Sequence, residues 1–141
     1  MRYSSFGIKR VIFGRLESGE DLLKSLITVA EKEGVQSGIV SLIGALTRFR
    51  LGFFDMESGE YEVIEKEGLY ELSSCVGNIS WMDGKPIVHI HMVVSDEESI
   101  YGGHVLEGCI VGPTVEFSII ELDRIVYKKY FGDVKLNLLD L

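Results

Sequence analysis

The sequence predicts an α+β domain in which a mainly antiparallel β-sheet packs with one main α-helix. Only residues 19–33 place their apolar side chains at helical spacing. Most of the remaining chain alternates between polar and apolar residues, or runs in apolar stretches bounded by glycine-containing turns, which is typical of strands. Asp83-Gly84 lies between two such stretches and is a strong signal for a β-hairpin, which joins antiparallel strands.

Each end of the predicted helix carries a recognisable signal. Ser18 and Asp21 fit a capping box, in which a hydroxyl at the N-cap is followed three residues later by an acid. Gly34 follows the last helical position and is expected to form the C-cap. The apolar face of the helix is expected to consist of Leu22, Leu23, Leu26, Ile27 and Ala30.

The strand-like segments account for most of the rest of the chain. We predict turns at Ser58-Gly59 and Glu67-Gly68, a possible bulge at Gly77, and a loop over 95–103. Gly112-Pro113 is expected to separate two further strands. The predicted strands are 11–16, 36–46, 48–56, 60–66, 69–81, 85–94, 104–111, 114–122 and 124–131.

Length and composition indicate one domain over residues 1–141, with a core built from the 46% of residues that are apolar. The leucine-rich tail, 133–141, either frays or docks on the body or on a neighbouring subunit. We find no signal peptide and no apolar stretch long enough to span a membrane, so the cytoplasm is the expected compartment. Cys75 and Cys109 are then expected to be buried free thiols.

The balance of charge argues against a nucleic-acid partner. The chain has 14 basic and 22 acidic residues and a formal net charge of −8. Its longest basic run is Lys128-Lys129. Because DNA affinity depends strongly on the neutralisation of phosphates by lysine and arginine, direct DNA binding by this domain is disfavoured.

All three histidines lie within 16 residues of one another. His89 and His91 are two positions apart in a strand, so both imidazoles should project from the same face. The opposite face of that strand is an uninterrupted apolar row and is expected to be core. If Asp83-Gly84 forms a two-residue loop, Asn78 faces His89 across the hairpin. Asn78 is then either a residue that supports a site or half of a polar cross-strand pair.

A His-x-His pair on a strand with a third histidine nearby is a recurring arrangement for zinc. Gly102-Gly103 would let the backbone turn sharply so that His104 reaches the pair. The spacing alone favours a metal site only slightly over three histidines in a core or at a subunit interface. Glu71 and Glu107 are the acids that we consider as general bases, and Glu71 is also expected, like Asn78, to support the site or to face a ligand. By strict alternation Glu71 faces away from the histidines, and a bulge near Gly77 would reverse this.

Taken together, these segments resemble the PPC (plants and prokaryotes conserved) domain. The resemblance covers residues 15–122 and preserves the order and spacing of the family's pattern. The matching pieces are RLESGEDL (15–22), GIVSLIGAL (38–46), LGFFD (51–55), ELSSCVGNIS (71–80), DGKPIVHIH (83–91), GGHV (102–105) and TVE (114–116).

The resemblance implies a PPC-like α/β domain with a mainly antiparallel sheet that assembles as a homotrimer. It also implies that His89, His91 and His104 form the metal-binding set of prokaryotic members, with zinc as the favoured metal. Such chains are often labelled as predicted DNA-binding proteins, and plant members carry an AT-hook. The present chain contains no Arg-Gly-Arg-Pro, so it lacks that element.

We therefore expect a homotrimeric, zinc-binding assembly or binding module. Two alternatives remain open at this point. One is a DNA-binding or DNA-associated regulator, as the family label suggests. The other is a small zinc-dependent enzyme, in which the metal would have an open coordination position.

Overall fold

The computed structural model describes residues 1–141 and contains eight strands and one helix. All strand pairs are antiparallel except a single parallel contact between Trp81 and Tyr127. The predicted α+β class with one helix is therefore confirmed. The elements are β1 Ile8–Glu17, α1 Leu22–Glu33, β2 Gly38–Phe54, β3 Tyr61–Met82, β4 Lys85–Ser95, β5 Ile100–Val105, β6 Ile110–Leu122, β7 Tyr127–Phe131 and β8 Leu136–Asp140.

The sheet has the strand order β1-β6-β2-β5-β4-β3-β7-β8, and β2 also pairs with β3. Because β3 pairs with β4, β4 with β5, and β5 with β2, the four strands β2, β3, β4 and β5 form a closed ring of paired strands. Aromatic packing joins three of these strands, because the ring of the buried Phe49 on β2 packs edge-on against Tyr70 of β3 at 4.8 Å and lies 5.2 Å from Tyr101 of β5. Helix α1 covers β4 and β6 and fully buries Leu22, Leu26 and Ala30.

The two helix caps differ in how well the sequence predicted them. Gly34 is the C-cap with φ of 67°, as expected. The capping box at Ser18 does not form, because β1 continues to Glu17 and the chain then turns at Gly19, so the helix begins later than predicted. Asp21 is the N-cap instead: one carboxylate oxygen accepts the backbone N–H of Lys24, and the other accepts that of Gly108.

The predicted turn at Glu67-Gly68 is wrong. Glu67 pairs with Arg48 and Tyr70 pairs with Leu46, so the backbone passes through this segment inside one 22-residue strand, β3. The segments predicted as 36–46 and 48–56 likewise merge into the 17-residue β2. Pairing along both strands satisfies the backbone groups that a local turn would otherwise satisfy. Long-range strand pairing therefore overrides the local signal for a turn at Glu67-Gly68.

The boundaries around β5 and β6 also differ from the prediction. Residues 100–103 belong to β5 rather than to a loop, and the segment predicted as one strand over 104–111 is divided by the turn at 106–109. Strand β6 continues through Gly112-Pro113. Its ladder with β2 is irregular at this point, between the pairs that contain Val111 and Val115, so Pro113 needs no ladder hydrogen bond.

One face of the sheet carries exposed apolar side chains from neighbouring strands. Registers place Val11 opposite Ile120, Ile120 opposite Ile39, and Ile39 opposite Asn78, so these residues share that face. We call the following set the outer apolar face. Its members are Val11, Phe13, Ile39, Ile43, Val76 and Val93, all of which are exposed. Val76 lies directly opposite His91, so the histidines adjoin the outer apolar face.

Residues 136–140 form β8, which pairs with β7 along its whole length. Cys75 and Cys109 are free and buried, and burial raises the pKa of Cys75 to about 12 and that of Cys109 to about 11. The expectation of buried thiols is confirmed. No helix of the chain combines the length and apolar character needed to cross a membrane.

Candidate metal centre

The hairpin between β3 and β4 positions the first two histidines. Asp83 and Gly84 have φ values of 52° and 78°, as a type I′ turn requires, and Met82 pairs with Lys85. Asn78 therefore lies opposite His89, and Val76 lies opposite His91, so the predicted register is confirmed. The other face of β4 carries the buried residues Ile90, Met92 and Val94, as its apolar pattern predicted.

Strand β5 brings the third histidine to the same place. His104 is the direct cross-strand partner of His91. The three imidazole rings have centroids 5.0–5.2 Å apart, and one ring nitrogen from each lies within 4.8 Å of the others. His89 Nε2 is 3.3 Å from His91 Nε2. Two nitrogens that bind one tetrahedral zinc at about 2.0–2.1 Å lie about 3.3–3.4 Å apart, so this pair already has a suitable spacing.

The structural feature that places His104 near the other histidines differs from the predicted glycine turn. Gly102 and Gly103 do not turn the chain; they are extended residues of β5, paired with Val93 and Met92. A Cβ atom at Gly103 would lie 3.2 Å from the Phe53 ring and 3.3 Å from the backbone of Gly52. Gly103 therefore permits the close approach of β2 to β5, and strand pairing rather than a flexible turn places His104.

Burial keeps two of the imidazoles neutral. The pKa of His89 is lowered to about 4, mainly by burial, with a smaller contribution from the positive charge of Lys128. The pKa of His104 is also lowered, first by burial and then by the neighbouring His91 and Lys128. Because only a neutral imidazole has a free nitrogen lone pair, these shifts leave His89 and His104 ready to bind a metal near neutral pH.

Two unpartnered polar atoms indicate that the residues fit a metal. His104 Nδ1 and Asn78 Oδ1 are both buried, and neither has a hydrogen-bond partner. Buried polar atoms in folded proteins usually have a partner, so each such atom needs an explanation. A divalent cation among the imidazoles would bind one ring nitrogen of each histidine and leave the proton on the other ring nitrogen. The amide oxygen of Asn78, which lies across the ladder from His89, is an acceptor suited to such an N–H. Three neutral nitrogen ligands with an open position are a set that suits zinc.

A cavity of about 690 Å³ opens beside the histidines. Tyr61 stacks on His104, with ring centroids 5.3 Å apart, and Gly52 leaves the space that the Tyr61 ring occupies. The β7–β8 hairpin supplies another wall through Lys128 and Leu136. None of these residues was predicted at the site. Gly52 belongs to the LGFFD segment, Lys128 to the Lys128-Lys129 pair and Leu136 to the leucine-rich tail, and none of these signals identifies a cavity.

The two candidate acids lie outside this cavity. Glu71 is on β3 opposite Ser95, four residues along β4 from His91. A register shift between Leu72 and Ser74 reverses the alternation, so the predicted reversal exists but not at Gly77. Glu107 forms an ion pair with Lys24 at 3.1 Å, beside the start of the helix. The structure therefore brings Asn78 to the histidines, and it does not bring Glu71 or Glu107 there.

The fold and this histidine cluster together define a small, mainly antiparallel α+β domain with a candidate metal centre. The chain belongs to the Plants and Prokaryotes Conserved (PCC) domain family, also abbreviated PPC, whose model matches residues 3–123. No curated protein sequence matches the chain.

Solved structures with the same fold include the following three. A metal-containing protein from Archaeoglobus fulgidus is 27% identical, with a TM-score of 0.93 and 100% of both chains covered. A PPC protein from Pyrococcus horikoshii is 34% identical, with a TM-score of 0.91, and the match covers 100% of this chain and 98% of that one. A suspected DNA-binding protein from Bacteroides thetaiotaomicron is 25% identical, with a TM-score of 0.88 and 96% of both chains covered.

Proposed function

We propose that this chain is a homotrimeric binding or assembly module that holds one zinc ion per subunit at His89, His91 and His104. The observation that carries this proposal is the cluster of three imidazole nitrogens within 4.8 Å of one another. The similar protein from Archaeoglobus fulgidus, which is described as metal-containing, adds support. When bound, zinc would supply a Lewis-acidic centre with a position open to a further ligand.

Self-association is supported by the outer apolar face. Phe13 is 77% exposed and Ile43 is 56% exposed in the single chain. Contiguous exposed apolar patches of this kind usually mark interaction sites, because leaving them in water is unfavourable. A trimer that buries this face would place the histidines near its subunit boundaries, since Val76 of the face is the cross-strand partner of His91. We keep the cytoplasm as the expected compartment because both cysteines are free thiols.

The experiment that tests the metal proposal is elemental analysis of the untagged protein beside the His89→Ala/His91→Ala double variant. We expect about one zinc per chain in the wild type and almost none in the variant. Circular dichroism should show the same strand content in both proteins, because His89 is only half-buried and His91 is exposed. A wild-type protein without metal would leave the histidines as residues of an interface.

DNA association is the second candidate, and the relative from Bacteroides thetaiotaomicron, which is named for suspected DNA binding, is the observation that favours it. The net charge of −8 argues against it. Fluorescence anisotropy with a labelled random-sequence duplex at 50 mM salt tests it directly. We expect no binding at micromolar protein, and salt-dependent binding would support the DNA alternative.

An enzymatic role has the least support of the three. None of the 15 residues that line the cavity is acidic, so no carboxylate stands ready as a general base. Glu71 and Glu107, the two candidates from the sequence, lie on other parts of the surface. We therefore propose binding rather than catalysis as the role of the metal centre.

A further inference from the structure

The walls of the histidine cavity have an unusual charge for this protein. The chain has 22 acidic residues, yet the cavity has none among its 15 lining residues. It has two lysines instead, Lys128 and Lys135. With a divalent cation bound to three neutral imidazoles, every full charge around the cavity would be positive. Such a site attracts an anion and repels a cation.

Lys128 is the lysine that the fold directs to the histidines. It is half-buried on β7, and it takes part in none of the chain's eight ion pairs and in no side-chain hydrogen bond. Its neighbour Lys129 pairs with Asp140 at 2.7 Å. An ammonium group that is partly removed from water without a partner is unfavourable. Lys128 lines the same cavity as His89, His91 and His104, so its side chain faces the space beside the three imidazoles.

The rest of the cavity wall is largely apolar. Phe53, Phe54 and Tyr61 come from the facing ends of β2 and β3, and Leu136 and Leu138 come from β8. A volume of about 690 Å³ lies within the usual range of small-molecule sites, which combine apolar walls with a few polar anchors. The cavity therefore suits a small molecule with one anionic end and one apolar end.

We infer that this cavity binds a small organic acid, whose carboxylate lies between the metal and the ammonium group of Lys128 and whose apolar group packs against Phe53, Phe54 and Leu136. The inference rests on the proposed metal site, because the metal supplies the second positive charge. Lys128 acts as an anchor for the anion and is not a metal ligand. A carboxylate fits better than inorganic phosphate because a phosphate has no apolar part to cover the aromatic wall.

Isothermal titration calorimetry with zinc-loaded protein tests this inference, with acetate and phenylacetate as the probes. We expect phenylacetate to bind at least about tenfold more tightly than acetate, because only phenylacetate buries an aromatic ring. Lys128→Met should weaken phenylacetate binding about tenfold or more, as expected for the loss of a charge-assisted contact. Lys128→Arg should restore part of the affinity, which separates loss of charge from damage to the fold.

Lys129→Met is the matched control, because it removes a lysine from the same strand whose partner is Asp140. It should bind phenylacetate as the wild type does. Zinc content is measured in every sample. If zinc is present and phenylacetate does not bind, or binds equally to Lys128→Met, the inference is wrong while the metal proposal stands. Equal affinities for acetate and phenylacetate would also overturn it. Absence of zinc from the wild type would overturn both proposals.

Discussion

A Cβ atom at Gly77 would clash with the carbonyl oxygen of His89. Gly77 is paired with Ile90 in the β3–β4 ladder, so the backbone of the histidine strand passes directly over this residue. The glycine that the sequence analysis treated as a possible bulge therefore has another role. It allows β3 and β4 to approach closely beside His89, the first of the three clustered histidines.

We predict that Gly77→Ala destabilises the protein by about 1–3 kcal/mol and lowers its zinc affinity, because the ladder must open beside His89. Gly102→Ala is the matched control, since its new Cβ would meet only ordinary contacts, 3.4 Å from the Met92 carbonyl. Urea denaturation measures the free energy of unfolding of both variants. Equal stability of Gly77→Ala and the wild type would contradict this account of the glycine.

Asn78 is predicted to support the metal through His89, its cross-strand partner. Its buried Oδ1 is an acceptor without a donor, and a metal-bound imidazole has a ring N–H that needs an acceptor. Asn78→Ala should weaken zinc binding about tenfold in competition with a chromophoric chelator, while saturation still reaches one zinc per chain. Ser74→Ala, an exposed position on the same strand, should bind zinc as the wild type does. An unchanged affinity in Asn78→Ala would leave Asn78 as a polar pair without a metal role.

A charge placed on the outer apolar face should prevent self-association. Phe13→Asp introduces a carboxylate that would have to be buried without a partner in a trimer, at a cost of several kcal/mol. We expect a trimeric mass for the wild type at micromolar concentration and a smaller mass for the variant, by multi-angle light scattering. Met56→Asp makes a comparable change at an exposed turn and should remain trimeric. A monomeric wild type would show that the outer apolar face has another purpose.

The metal-free protein is predicted to lose stability as the pH falls from about 6.5 to about 4. The pKa of His89 is about 4 in the folded protein and about 6.5 in the unfolded chain. Between these values the unfolded state binds more protons, so the free energy of unfolding decreases as the pH falls. Urea midpoints across this range measure the slope. The His89→Gln variant should show a shallower slope, and identical slopes would mean that His89 does not titrate as its burial suggests.

Several features could be predicted from the sequence because they depend on local chemistry. The alternation around His89 and His91 predicted that both rings share one face, and Asp83-Gly84 predicted the turn that sets Asn78 opposite His89. Gly34 predicted the end of the helix because a helix C-cap is often left-handed, a conformation that few residues other than glycine adopt easily. The order of the family motifs predicted membership of the PPC family, which the match over residues 3–123 shows.

Other features depended on contacts between distant residues, which local patterns do not encode. Glu67-Gly68 contains residue types that are common in turns, yet Gly68 lies inside β3. Pairing with β2 on both sides of Gly68 satisfies the backbone hydrogen-bonding groups there. His104 reaches the other histidines because β5 pairs with β4. Lys128 lines the cavity because it lies on β7, which pairs with β8 as a hairpin whose residues form one wall of the cavity. The sequence by itself determined which residues could bind a metal and that His89 and His91 share one face of β4. Only the tertiary structure, through long-range strand pairing, decided which charges and apolar walls surround them.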